Sequence, residues 1–186
     1  MVHILMFLMG KKKLRILLLM HQRKLLKKYK NVLVEDGDKG GSLMDDELIK
    51  DLIQQDLYKY VKVINNPEVY VNLINQNFEF SGTKIDWSQT YKHYYKESDD
   101  ESLLTDAIQF INELKEKYLT NNIQVIYIGD GLTEYGYQFA LNDIEKLLVC
   151  FLDFPQHHYF IPLNCDWCIC ITKQNDLDFG YSLKKS

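Results

Sequence analysis

Four cysteines stand close together in the second half of this 186-residue chain, at Cys150, Cys165, Cys168 and Cys170. Cys165 and Cys168 form a CxxC, the spacing used by zinc sites and by dithiol redox centres. Zinc needs four ligands, and His157 or His158 would have to supplement the thiols. Only one CxxC is present, however, and Cys168 falls in a strand-like run rather than a knuckle turn. A redox CxxC opens a helix whose N-terminus lowers the thiolate pKa, whereas this one leads into a strand. The expectation is therefore no metal, no cofactor and largely buried, reduced thiols. The histidines beside Cys165 also raise the question of a Cys–His nucleophile. Strand alternation sends His157 and His158 to opposite faces, and no glycine-rich loop stands nearby to form an oxyanion hole. A partly buried histidine hydrogen-bonded at the start of a strand is the plainer expectation.

Carboxylates offer a second chemistry. Asp166 and Asp178 could form a pair, but acids beside turns are commonly solvated. Val32 to Asp38 places Asp36 and Asp38 after an apolar run, and Ile126-Tyr-Ile-Gly-Asp-Gly131 resembles the metal-binding turn of haloacid-dehalogenase-type phosphatases. Such enzymes use one aspartate as nucleophile and hold Mg²⁺ with further carboxylates. The pattern departs from that family in three places. Gly40 stands where threonine or valine is expected, and Glu134 where aspartate is expected. The closing segments also lack the strand–helix alternation of a doubly wound sheet. A Mg²⁺-dependent phosphatase is thus the alternative, and a protein that is not an enzyme is the main expectation.

Charge argues for a protein partner. Residues 1–34 hold nine bases and no acid, so residues 35–186 hold 13 bases against all 26 acids, a formal −13. Such a body repels nucleic acid and anionic membrane and attracts basic protein. The run Glu97-Ser-Asp-Asp-Glu101 contributes Asp99, Asp100 and Glu101 as contact candidates. It equally suits a helix N-terminus. Tyr94 and Tyr95 join the candidates because an exposed ring beside acids adds apolar area at little entropic cost. Asp130 and Glu134 complete the set, presented by the turn after a buried strand.

The elements that must position these residues follow from capping and period. Ser42 and Asp45 read as a capping box ahead of Leu48, Ile49, Leu52, Ile53, Leu57 and Tyr60 at helical spacing. A second helix follows Pro67, and a short strand then a loop spans Phe78 to Trp87. Ser98 to Glu101 reads as another capping box, launching a helix through Leu104, Ala107, Ile108, Ile111, Leu114 and Tyr118, stopped at Asn121-Asn122. Ile123 to Ile128 is a buried strand. Asn142 and Glu145 cap a last helix that ends before Pro155. Beyond it, His158 to Leu163, Asp166 to Thr172 and Leu177 to Tyr181 read as three short strands, with Trp167, Ile169 and Ile171 on one face and Cys168 and Cys170 on the other. The class is α+β: several helices followed by a C-terminal antiparallel sheet of short strands.

The domain reading is an N-terminal extension with a Gly-rich joint over 1–41 and a single acidic domain over 42–186. All five methionines lie in the first 44 residues, and 22 of the 24 aromatics lie after them. The apolar opening to Met9 is too short to span a bilayer and lacks the order of a secretory signal, so a cytoplasmic protein is expected. The head admits three readings: a surface-binding basic arm, a hairpin or helix packed on the domain, or an upstream extension with Met20 or Met44 as the natural start. The compositional break favours the third.

Asp153-Phe-Pro-Gln-His-His-Tyr-Phe160, Cys165-Asp-Trp-Cys168 and Asp176-Leu-Asp-Phe-Gly180 together resemble small bacterial immunity proteins of polymorphic-toxin and contact-dependent inhibition systems. The resemblance covers 141–182. It implies an α+β protein that binds and blocks one cognate toxin domain, and it does not imply which residues touch that toxin. A nuclease toxin with a basic groove would suit an acidic inhibitor. A non-inhibitory acidic adaptor would use the same surface.

Overall fold

The computed structural model describes residues 41–120 and 123–183. Asp36 and Asp38, the basic head and the stop at Asn121-Asn122 lie outside them. Helix α1 (Leu43–Gln54) starts at the expected capping box: Asp45 N–H donates to the Ser42 side chain, and the Asp45 carboxylate accepts from Ser42 N–H. The helix stops at Gln54, before Leu57 and Tyr60, because Asp56 turns left-handed at φ 59°. A 3₁₀ turn over Tyr58–Tyr60 then leads to β1 (Lys62–Ile64). Helix α2 (Glu68–Asn77) follows Pro67 as expected. The next stretch is a two-residue hairpin, β2 (Phe80–Ser81) and β3 (Lys84–Ile85), rather than a strand at Phe78 and a loop.

The tyrosine-rich stretch forms the edge strand β4 (Thr90–Glu97). Helix α3 (Leu103–Lys117) comes next, but Ser98 and Glu101 do not form its capping box; Ser102 is its N-cap. The Ser98 hydroxyl donates to Asp106 at 2.7 Å instead, and the Asp99 carboxylate accepts from Ser102 N–H at 2.8 Å. The buried stripe is Ala107, Phe110, Ile111 and Leu114, leaving Leu104 at the surface. Strand β5 (Gln124–Gly129) matches the expected buried strand, and β6 (Gly136–Ala140) is an additional one. Helix α4 (Ile144–Phe151) follows a 3₁₀ turn, without the expected side-chain cap at its start. Strands β7 (His158–Pro162), β8 (Trp167–Ile171) and β9 (Asp176–Ser182) lie where the period-two pattern put them.

The fold is mixed α+β, and its helices are interleaved with the strands rather than preceding them. One seven-stranded sheet, in the order β1-β6-β5-β7-β8-β9-β4, is antiparallel at every pairing. Its first face carries Tyr127, Tyr137, Phe139, Phe160, Ile169 and Phe179 against α1, α3 and α4. Its second face carries Ile126, Ile128, Tyr159, Ile161, Cys168 and Cys170 beneath α2 and the hairpin. With both faces covered, β7 and β8 are buried at every position, so their apolar character is continuous rather than alternating. No helix of the described residues is long and apolar enough to cross a membrane.

Candidate functional site

Antiparallel pairing brings the ends of β4, β5 and β8 and the starts of β6, β7 and β9 to one end of the sheet. Tyr95, Asp99, Asp100, Glu101, Asp130 and Glu134 all fall there. A ladder of hydrogen bonds ties Tyr95, Asp100 and Asp130 to the turn between β8 and β9. Ser98 N–H donates to the Asn175 carbonyl, and Asn175 Nδ2 donates to Asp100 at 2.6 Å. Tyr95 Oη–H donates to Asp176 at 3.0 Å. On the far side of the turn, Lys173 N–H donates to His157 Nδ1 at 3.0 Å, and His157 N–H donates to Asp130 at 2.9 Å. Asp100, Asp130 and Asp176 therefore sit on one braced rim, while the Asp99 carboxylate accepts from Ser102 N–H at the start of α3. Glu134 is held separately, by the buried carboxylate of Asp45, which accepts from Glu134 N–H, Tyr135 N–H and Tyr137 Oη–H at 2.8, 3.2 and 3.0 Å.

Tyr94 takes the opposite side of the sheet. It stacks on Phe110 with ring centroids 5.4 Å apart, and its hydroxyl donates to Glu113. Tyr95 is 49% exposed on the second face. One strand thus divides the two tyrosines between the helix layer and the rim.

Two depressions open on the second face and meet at Tyr159. The larger, about 370 Å³, lies between α2, Phe80 and Thr83 of the hairpin segment, and the Gly129–Thr133 turn, with Asp130 on its lip. The smaller, about 280 Å³, is walled by Trp87, His93, Tyr95 and Tyr159, and Asp176 and Asp178 open into it. His93 stacks on Trp87 at 5.6 Å and 9° and reaches Asp178 Oδ1 with Nε2 at 2.8 Å. The Asp178 side chain is only 7% exposed, and burial raises its pKa above the usual carboxylate value. Lys84 on the rim is turned aside, donating to Gln174 at 2.9 Å.

His93 and Asp178 have the form of a general base with an orienting carboxylate, yet no activated nucleophile accompanies them. Cys170 lines the same pocket, but burial holds its thiol well above the ordinary range, as it does for Cys168. Cys150 and Cys165 are pushed up to about 12 for the same reason. All four are free, buried thiols, and a protonated thiol is a poor nucleophile. His158 is buried on the first face, hydrogen-bonded to Tyr127, while His157 precedes the strand and serves the Lys173 and Asp130 bonds. Among the described residues no cluster of three or more His, Cys, Asp or Glu could hold a metal ion.

Trp87 and His93 are the site residues that sequence reasoning passed over, and Asp178, expected to be a solvated acid beside a turn and weighed only as a partner of Asp166, is instead buried and paired with His93. His93 and Tyr95 share a face and Tyr94 does not, an alternation that marks β4. A bulge at Lys92, with φ 54°, breaks that alternation just before it can be read. No protein-family model, curated protein or solved structure matches this chain.

Proposed function

We propose that the chain is an immunity protein that binds a cognate toxin domain through the acidic end of the sheet and blocks it without catalysis. The supporting observation is that Tyr95, Asp99, Asp100, Glu101, Asp130, Glu134 and Asp176 fall at one end of the sheet, where Asp130 lines one concave depression and Tyr95 and Asp176 line the other. Residues 41–183 carry 23 acids and ten bases, a formal −13, so the field around that rim favours a basic partner. A groove-bearing nuclease domain is the partner class such a surface suits best. Electrostatic steering would act on association, and the aromatic walls would hold the complex once formed. The location of action is the cytoplasm in this reading.

The test is to mix the purified protein with the toxin domain encoded beside its gene. Stoichiometric inhibition and a stable complex are the expected outcomes. No complex at low ionic strength, or hydrolysis of a phosphoester by the protein alone with Mg²⁺, would overturn the reading.

A further inference from the structure

The smaller pocket combines features that an acidic surface alone lacks. Its walls are aromatic rings, Trp87, Tyr95 and Tyr159, and its base is a carboxylate in a low-dielectric setting. Asp178 Oδ1 accepts from His93, but no donor among the described residues reaches Oδ2. A buried carboxylate oxygen without a donor is costly, and a native structure ordinarily supplies a partner for it. The second carboxylate, Asp176, is held in place by Tyr95 and by the Thr172 hydroxyl at 3.3 Å. At about 280 Å³ the pocket is too small to enclose a drug-sized molecule and suits one long side chain.

We propose that this pocket receives one arginine side chain of the protein partner, its guanidinium lying against the aromatic walls and donating to Asp178 Oδ2 and Asp176. The planar guanidinium fits better than an ammonium, because it stacks on rings and offers several donors in a fixed fork. Lys84, the competing cation on the pocket wall, donates to Gln174 and forms no ion pair with either carboxylate. The inference rests on the inhibitory reading above for the identity of the partner, but its chemistry is testable without any toxin.

The test is a ¹H–¹⁵N titration of the whole protein with a blocked Gly-Arg-Gly peptide and with the same peptide carrying citrulline, which keeps the shape and removes the charge. The Trp87 indole resonance and the His93 and Tyr95 amides should move saturably with the arginine peptide, and at least about tenfold more weakly with citrulline. Asp178→Asn should shrink the difference between the two peptides, leaving only what Asp176 contributes. Tyr95→Ala, at an exposed position, provides a second variant that should weaken arginine binding without touching the core. Equal responses to both peptides would overturn the proposal. So would arginine-induced shifts spread along the acidic rim while the Trp87 indole stays still. Failure here leaves toxin inhibition standing, and failure of inhibition leaves a measured arginine pocket, so the two are separable.

Discussion

Asp178 shows how a residue can be costly to the fold and useful to a site. Burial raises its pKa above the usual value, so the ionised form is disfavoured in the folded state. Stability linked to such a group is fully present below the unfolded-state pKa and is lost as pH rises through the folded one. Asp178→Asn keeps an oxygen to accept from His93 and removes that cost. Its melting temperature should therefore exceed the wild type's at pH 7, with the gap closing at pH 4; a lower value at pH 7 would mean that the His93 pairing outweighs burial. His158 has the opposite sense for a base. Burial lowers its pKa to about 4, so the unfolded chain takes up a proton that the folded chain refuses. Stability linked to His158 should fall as pH drops from about 6.5 toward 4, by roughly 2–3 kcal/mol in all. Urea midpoints at pH 7.5 and 5 check this: His158→Gln should lose less stability over that interval than the wild type.

At the scale of elements, Asp45 joins two parts of the chain that are 92 positions apart, through the Tyr137 hydroxyl. It caps α1 and satisfies the donors of the turn that carries Glu134. Asp45→Ala would remove the shared acceptor of Glu134 N–H, Tyr135 N–H and Tyr137 Oη–H and should cost about 3 kcal/mol or more, against roughly 1 kcal/mol for Ser42→Ala. Equal losses in urea titrations would show the turn to be independent of Asp45. A chain begun at Met44 would discard Ser42 and its cap. The same elements explain what the sequence displayed. Long signals were legible: α1 from its capping box, α2 from Pro67, β5 to β9 in part from β-branched and aromatic runs. Four strands were not, among them the two-residue β3, which reads as loop. β1 has three residues, too few for a period. Gly136-Tyr-Gln-Phe-Ala140 lacks β-branched residues, and its burial comes from neighbouring strands. β4 hides behind its bulge, and its exposed lysines and tyrosines read as surface. The acidic candidates were legible from composition, but their convergence on one end is a property of strand order, which no local pattern carries.

For the molecule as a whole, the field of the acidic body should govern how fast a basic partner arrives. The association rate with the toxin domain should fall as salt rises, and replacing Asp99, Asp100 and Glu101 together by Lys should slow association by about tenfold at low salt with little change in dissociation. Tyr95→Ala should do the reverse, speeding dissociation by about tenfold or more. Stopped-flow kinetics at two salt concentrations separates these effects, and a salt-independent on-rate would remove steering from the account. Strand order has a temporal consequence as well. Among the described residues the edge strand β4 pairs with β9 alone, and His93 meets Asp178 across 85 positions of sequence. During refolding, β4 has no neighbour to zip onto until β9 has docked beside β8, so the loop-closure cost falls late and falls on the element that carries Tyr95. The rim should therefore be the last of the described parts to acquire hydrogen-exchange protection after dilution from denaturant, well behind the β5–β7 pair, which on the proposed reading would make the binding surface the slow step in producing a competent inhibitor.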